Sequence, residues 1–169
     1  MRSLFGEVNH VLWWIDLILA VIFCVFVGTG WHESATERPE TETDPSKLAE
    51  SRQRVADGLR AAASAGLTVV AILLPTTVIG VQLSVATSDK LLVGHTAATN
   101  LFLASCWLLA SIISGLYVVF VAATRGISEN LHHRMDVSVA YALELSALVI
   151  ACSRLVLAIA SVAGRILQL

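Results

Sequence analysis

Charge is scarce in this sequence. Of 169 residues, 14% are Asp, Glu, Lys or Arg, against 56% that are apolar. A water-soluble domain of this length cannot hide that much apolar surface, so the composition indicates a polytopic membrane protein. Proline is scarcer still, at three residues, which leaves long windows open to uninterrupted helix. Cysteine also numbers three, with no CxxC spacing, and Cys24, Cys106 and Cys152 all lie in apolar stretches. They read as small buried side chains, neither a disulfide framework nor a metal knuckle. No basic tract is present and the formal net charge is −2, so no nucleic-acid partner is expected. G-x-S-x-G, H-E-x-x-H and phosphate-loop motifs are missing, and the chain is read as not an enzyme. His10 and His95 fall near one membrane surface and His32, His132 and His133 near the other. That separation does not suit a haem or metal held inside a bundle, and no cofactor or metal is expected.

What is present is apolar length. Four stretches, roughly Val11–Trp31, Leu67–Ala86, Thr99–Ala122 and Val137–Ala163, each reach the ~20 residues that cross the hydrocarbon core as helix. None alternates with the period of a barrel strand. The expected fold is all-α: four transmembrane helices, the second with a cytoplasmic extension, forming one membrane domain. Residues 1–32 hold the first span, 33–45 a flexible acidic and polar linker rich in Thr, Glu and Pro, and 46–169 the basic extension with the remaining spans. Asp44-Pro45 has the form of a helix start, with Asp as cap and Pro at the first helical position. The first and third loops carry most of the basic residues, including Arg38, Lys47, Arg52, Arg54, Arg60, Arg125 and Arg134. The positive-inside rule then puts those loops in the cytoplasm and both termini outside, in a plasma or inner membrane. Asp16 and Trp13–Trp14 interrupt the early apolar run and no A-x-A-like site follows, so the first span reads as retained rather than as a cleaved signal.

The last helix carries a narrow stripe: Ala140, Glu144, Ala147, Ala151, Arg154, Ala158, Ser161 and Arg165 recur at three- or four-residue steps. Every member is small or charged, and the positions between are mostly large and apolar. The stripe faces protein or water and the rest faces lipid. Ionisable groups inside a span are expensive and mark functional candidates. From the helical rise of ~1.5 Å per residue, Asp16 and Arg154 both lie roughly 6–8 Å outward of the midplane on the same side. They are expected to pair. Gln82 and Asn100 lie in the same half. Glu144 lies in the other half, with Tyr117 and the region of residues 68–72 as expected neighbours. Facing a water-filled path it would relay protons or attract cations, and bonded only to Tyr117 or a backbone group it would be structural.

Small or polar seams recur on the other helices: Asp16, Ala20, Cys24 and Gly28 on the first, Thr76, Gly80 and Ser84 on the second, Asn100, Ala104, Trp107, Ser111 and Ser114 on the third. Either one four-helix bundle or an oligomer around an axis consumes such seams. Pro75 and Gly80 mark a hinge in the second helix. Lys47, Arg52, Arg54 and Arg60 are candidates for a basic cytoplasmic mouth.

Some short words are similar to those of the Orai calcium channels: the basic helix 47–60, Gly80-Val81-Gln82-Leu83 and, one helix later, His133-Arg134-Met135. In that family an acidic residue forms the selectivity ring where this chain has Gly80, and its additional span is C-terminal where this one is N-terminal. The resemblance therefore implies neither calcium selectivity nor any residue role.

These features lead to a small homo-oligomeric channel or pore, its path lined or braced by Asp16, Gln82, Asn100, Tyr117, Glu144 and Arg154. An accessory or scaffold subunit of a larger complex, reaching a protein partner through the first loop, is the alternative. A proton-coupled transporter using Glu144 is the third reading. Membrane lipid is the remaining expected partner.

Overall fold

A computed structural model describes residues 10–36, 45–86, 95–126, 131 and 134–166. Among these residues no strand occurs, and the backbone forms four α-helices. They are α1 (His10–Thr36), α2 (Pro45–Ala86), α3 (His95–Arg125) and α4 (Met135–Ile166). The described residues are thus all-helical, as the apolar runs without strand alternation led us to expect.

Three helices are long and apolar enough to cross a membrane, over Pro45–Gln82, Thr96–Arg125 and Met135–Gly164. This is consistent with a multi-pass integral membrane protein. The expectation of four spans is met in three. In α1 the apolar stretch of described residues is Trp13–Val27, about 22 Å of helix at ~1.5 Å per residue, short of a ~30 Å core. Helix α1 also continues through Glu33 to Thr36, into the segment read as a linker. Residues 37–44 of that linker, and the connection at 88–93, lie outside the described residues.

Helix α2 begins at Pro45, where the missing N–H of proline costs nothing, and runs for 42 residues. At ~1.5 Å per residue this is about twice the thickness of a hydrocarbon core, longer than one crossing needs. Pro75 does not break it. The chain continues as helix to Ala86, and Thr76 and Thr77 donate to the carbonyls of Ile72 (3.3 Å) and Leu74 (2.8 Å). Side-chain hydroxyls thereby serve carbonyls of the turn that the proline ring disturbs.

The packing order is not the sequence order. Helix α3 lies between α2 and α4, α4 makes its other main contact with α1, and α2 touches α4 only lightly. Helix α1 therefore docks on α4. Small residues let the backbones approach: Ala20, Ala63, Ala104, Ala147, Ala151 and Ala158 are buried at the seams. Ile72, Ile113, Phe120, Val156 and Ile159 are exposed on the outer faces. That inversion of a soluble protein's pattern is what a lipid solvent calls for. At one end of the bundle the α2 extension packs through Ala56, Leu59 and Ala63 against Val118, Val121, Ala122, Leu131 and Val137. This anchors it to the α3–α4 turn.

Candidate functional site

The half of the bundle that holds the N-terminal ends of α1 and α3 contains a polar centre built by three helices. The i, i+4, i+8 register of Asp16, Ala20 and Cys24 turns these residues of α1 toward α4, while Trp14, Leu17, Ile18, Val21 and Ile22 stay exposed. The expected pair forms. Arg154 Nη2 donates to Asp16 Oδ1 at 2.6 Å, and its Nε lies 3.1 and 3.0 Å from Oδ1 and Oδ2. Both side chains are almost completely buried, at 3% and 5% exposure for Asp16 and Arg154. Helix α3 completes the arrangement. Asn100 Oδ1 accepts from Arg154 Nη1 at 3.1 Å, and Asn100 Nδ2 donates to the Thr96 carbonyl at 3.0 Å. The Trp107 indole donates to Asp16 Oδ2 at 3.1 Å, and its ring stacks on Trp13 with centroids 5.8 Å apart.

A fork-shaped guanidinium against a carboxylate, with further hydrogen bonds on both, is the arrangement that compensates the desolvation of a buried pair. Electrostatically it is a closed dipole that leaves little field outside itself. Trp107 reads from sequence only as part of the α3 seam. Its N–H is the donor that sequence reasoning missed.

The opposite half contains a different centre. Glu144 is fully buried, at 0% exposure, and neither carboxylate oxygen has a hydrogen-bond partner. It fills a notch made by two glycines. A Cβ at Gly66 of α2 would stand 2.5 Å from Oε1, and one at Gly115 of α3 would stand 2.7 Å from Oε1 and 2.9 Å from Cδ. Only a residue without a side chain permits this approach. The backbone around it is held by Ser111, whose hydroxyl donates to the Glu144 carbonyl at 3.2 Å. Half a turn on, Cys24 of α1 meets Ser146 with 3.7 Å between Sγ and Oγ.

Two expected neighbours of Glu144 are corrected. Tyr117 turns outward and donates its hydroxyl to Asp136 Oδ2 at 2.6 Å, in a group that also includes Arg134. On α2 the contacting residue is Gly66, just before the 68–72 region. Estimates of depth place levels, but the rotation of each helix decides which side chain fills a level. The glycines were visible as isolated breaks in apolar helical runs, a pattern that signals close packing.

The remaining candidates lie elsewhere. Gln82 is exposed and takes no part in the Asp16–Arg154 centre. On α2 the buried threonine is Thr77, while Thr76 is exposed. This puts the seam one residue from the expected stripe, along Ala63, Gly66, Val70 and Thr77. Gly80 sits against Leu101, whose Cδ1 would be 3.1 Å from an added Cβ. Lys47, Arg54 and Arg60 are exposed and Arg52 is half-buried. At 3.6 residues per turn they are spread around α2 rather than gathered on one side, and Arg54 pairs with Glu50.

Three α3–α4 contacts mark successive levels: Asn100 with Arg154, Ser111 with Glu144, and Tyr117 with Asp136. From Asp136 to Arg154 α4 rises about 27 Å, close to the ~30 Å thickness of a hydrocarbon core. No family model, curated protein or solved structure matches the chain. Its similarity to Orai words thus stays confined to those words. The fold and the site define a class: an all-helical protein with membrane-length helices and two polar centres enclosed between them.

Proposed function

We propose that this chain is a small membrane channel whose path follows the polar groups between α3 and α4. The supporting observation is the succession of enclosed polar levels at Asn100–Arg154 and Ser111–Glu144, about 15 Å apart along α4, with the exposed Tyr117–Asp136 pair marking the far end of the same helix pair. Intramembrane ionisable groups of this kind belong to ion and proton pathways. The Asp16–Arg154 pair is then the gate. While closed, it offers a passing ion no free charge, and opening it exposes a carboxylate and a guanidinium to the path.

The small residues Ala20, Ala63, Ala104, Ala147, Ala151 and Ala158 are buried inside this one bundle. A homo-oligomer would assemble through the apolar outer faces, with a path in each protomer and none on a shared axis. A scaffold role is the second reading. It is favoured by the completeness of the Asp16–Arg154–Asn100 hydrogen bonding, which suits a packing clamp as well as a gate.

The test is flux from liposomes holding purified protein, with an ion-sensitive dye inside. A channel gives dissipation of an imposed ion gradient above that of protein-free vesicles, altered at least several-fold by Asn100→Ala. Folded, inserted protein that conducts neither protons nor alkali cations overturns the channel and leaves the scaffold.

A further inference from the structure

We infer that Glu144 is a proton-binding site, which makes the proton the species handled by its half of the bundle; this deepens the channel reading and rests on it for its role in transport. Enclosure comes first. Glu144 has no exposed surface and both its oxygens lack a hydrogen-bond partner. A carboxylate in that position would be a buried, uncompensated charge, the most costly state open to a side chain. The neutral acid is the form this enclosure accommodates.

Space comes second. Oε1 occupies the room that a Cβ at Gly66 or Gly115 would need, and Leu67 adds a methyl 3.2 Å from the Gly115 position. A metal ion needs a shell of several oxygens at about 2–2.6 Å. No cluster of three or more His, Cys, Asp or Glu that suits a metal occurs among the described residues. A proton needs neither shell nor space.

The surroundings come third. Helix α2 presents Gly66 and Leu67 to the carboxyl, and α3 presents Gly115 and, on the Glu144 backbone, Ser111; none of them titrates. On α4 itself Tyr141, one turn away, interacts electrostatically with Glu144, and on α1 the Cys24 thiol contacts Ser146. The charged groups of α4 lie at its ends of the path, Asp136 with Arg134 on one side and Arg154 with Asp16 on the other. The reaction at the site is the addition of one proton to a carboxylate oxygen and its later release. Ser111, on the Glu144 backbone carbonyl, is the hydroxyl next along α3 toward Asn100 and Arg154.

Infrared difference spectroscopy of the full chain in lipid, with pH steps between wild type and Glu144→Gln, reads the site directly. The wild type is expected to show a carboxylic-acid carbonyl stretch at neutral pH that shifts in heavy water and is missing from Glu144→Gln. Gly115→Ala, which intrudes on Oε1 without removing the acid, should shift that band. The heavy-water shift in the wild type needs no variant, so misfolding of either substitution leaves the test intact. A wild type with no such band, its carboxyl ionised throughout, overturns the inference. In parallel, dye-filled vesicles are expected to lose at least ten-fold in proton flux on Glu144→Gln, and full retention of proton flux overturns its role in transport. A band present without flux of any ion removes the channel and leaves the proton site standing.

Discussion

At the scale of single residues, the two buried acids have opposite environments. Asp16 receives donors from Arg154 and Trp107, while Glu144 receives none. Removing a partner therefore matters at one and not at the other. Arg154→Ala leaves the buried Asp16 carboxylate with the Trp107 donor but no counter-charge, and is expected to cost about 3–5 kcal/mol of stability. Asp16→Asn with Arg154→Gln removes both charges and should cost clearly less than the sum of the two singles. Thermal unfolding in mild detergent measures the cycle, and additive losses would show that the pair is not coupled. The glycines supply a second cycle. Gly66→Ala is expected to destabilise, and to do so far less when Glu144 is already Ala, with a coupling of about 0.5–3 kcal/mol. Gly58→Ala is the contrast, since a Cβ there meets nothing within 4 Å. Helix propensity alone should make it stabilising by up to about 1 kcal/mol in the same assay.

At the scale of elements, α1 is the least integrated helix. It rests mainly on α4, and among the described residues the Asp16–Arg154 pair, the Asp16–Trp107 bond, the Trp13–Trp107 stack and the Cys24–Ser146 contact are its specific attachments. The last of these gives a direct test. With Sγ and Oγ only 3.7 Å apart, Ser146→Cys places two thiols within reach of a disulfide once small side-chain rotations bring the sulfurs together. Mild oxidation of Ser146→Cys in membranes should link residues 24 and 146 in most molecules, detected as a cross-linked peptide by mass spectrometry. Failure to link would mean that α1 does not dock in this register. Depth counting from the sequence was sufficient to pair Asp16 with Arg154, because both charges needed a partner at one level and few were offered. It was insufficient for Glu144. Tyr117 lies near the expected level, but its side chain leaves the interior for Asp136, and the space falls to Gly115.

At the scale of the whole molecule, large apolar side chains cover the outside while alanine, serine and the charged groups are enclosed. Such a surface is stable against lipid and not against water. The protein is therefore expected to remain with membranes through alkaline carbonate washing and to be released by detergent. Recovery in the carbonate supernatant would refute membrane insertion. The all-helical, apolar class of the protein was already legible in its sequence, because scarce charge and membrane-length apolar runs point to lipid rather than to a soluble core. So was the inward turn of the α4 stripe, since a helix with one small and charged edge has one way to avoid placing ions in oil. Only the tertiary structure decided that the seams close on one another within a single chain, that α1 meets α4, and that Glu144 is gripped by two glycines. Those outcomes depend on the relative rotation and order of the helices. Both are set by contacts between residues far apart in the chain, which no local pattern records.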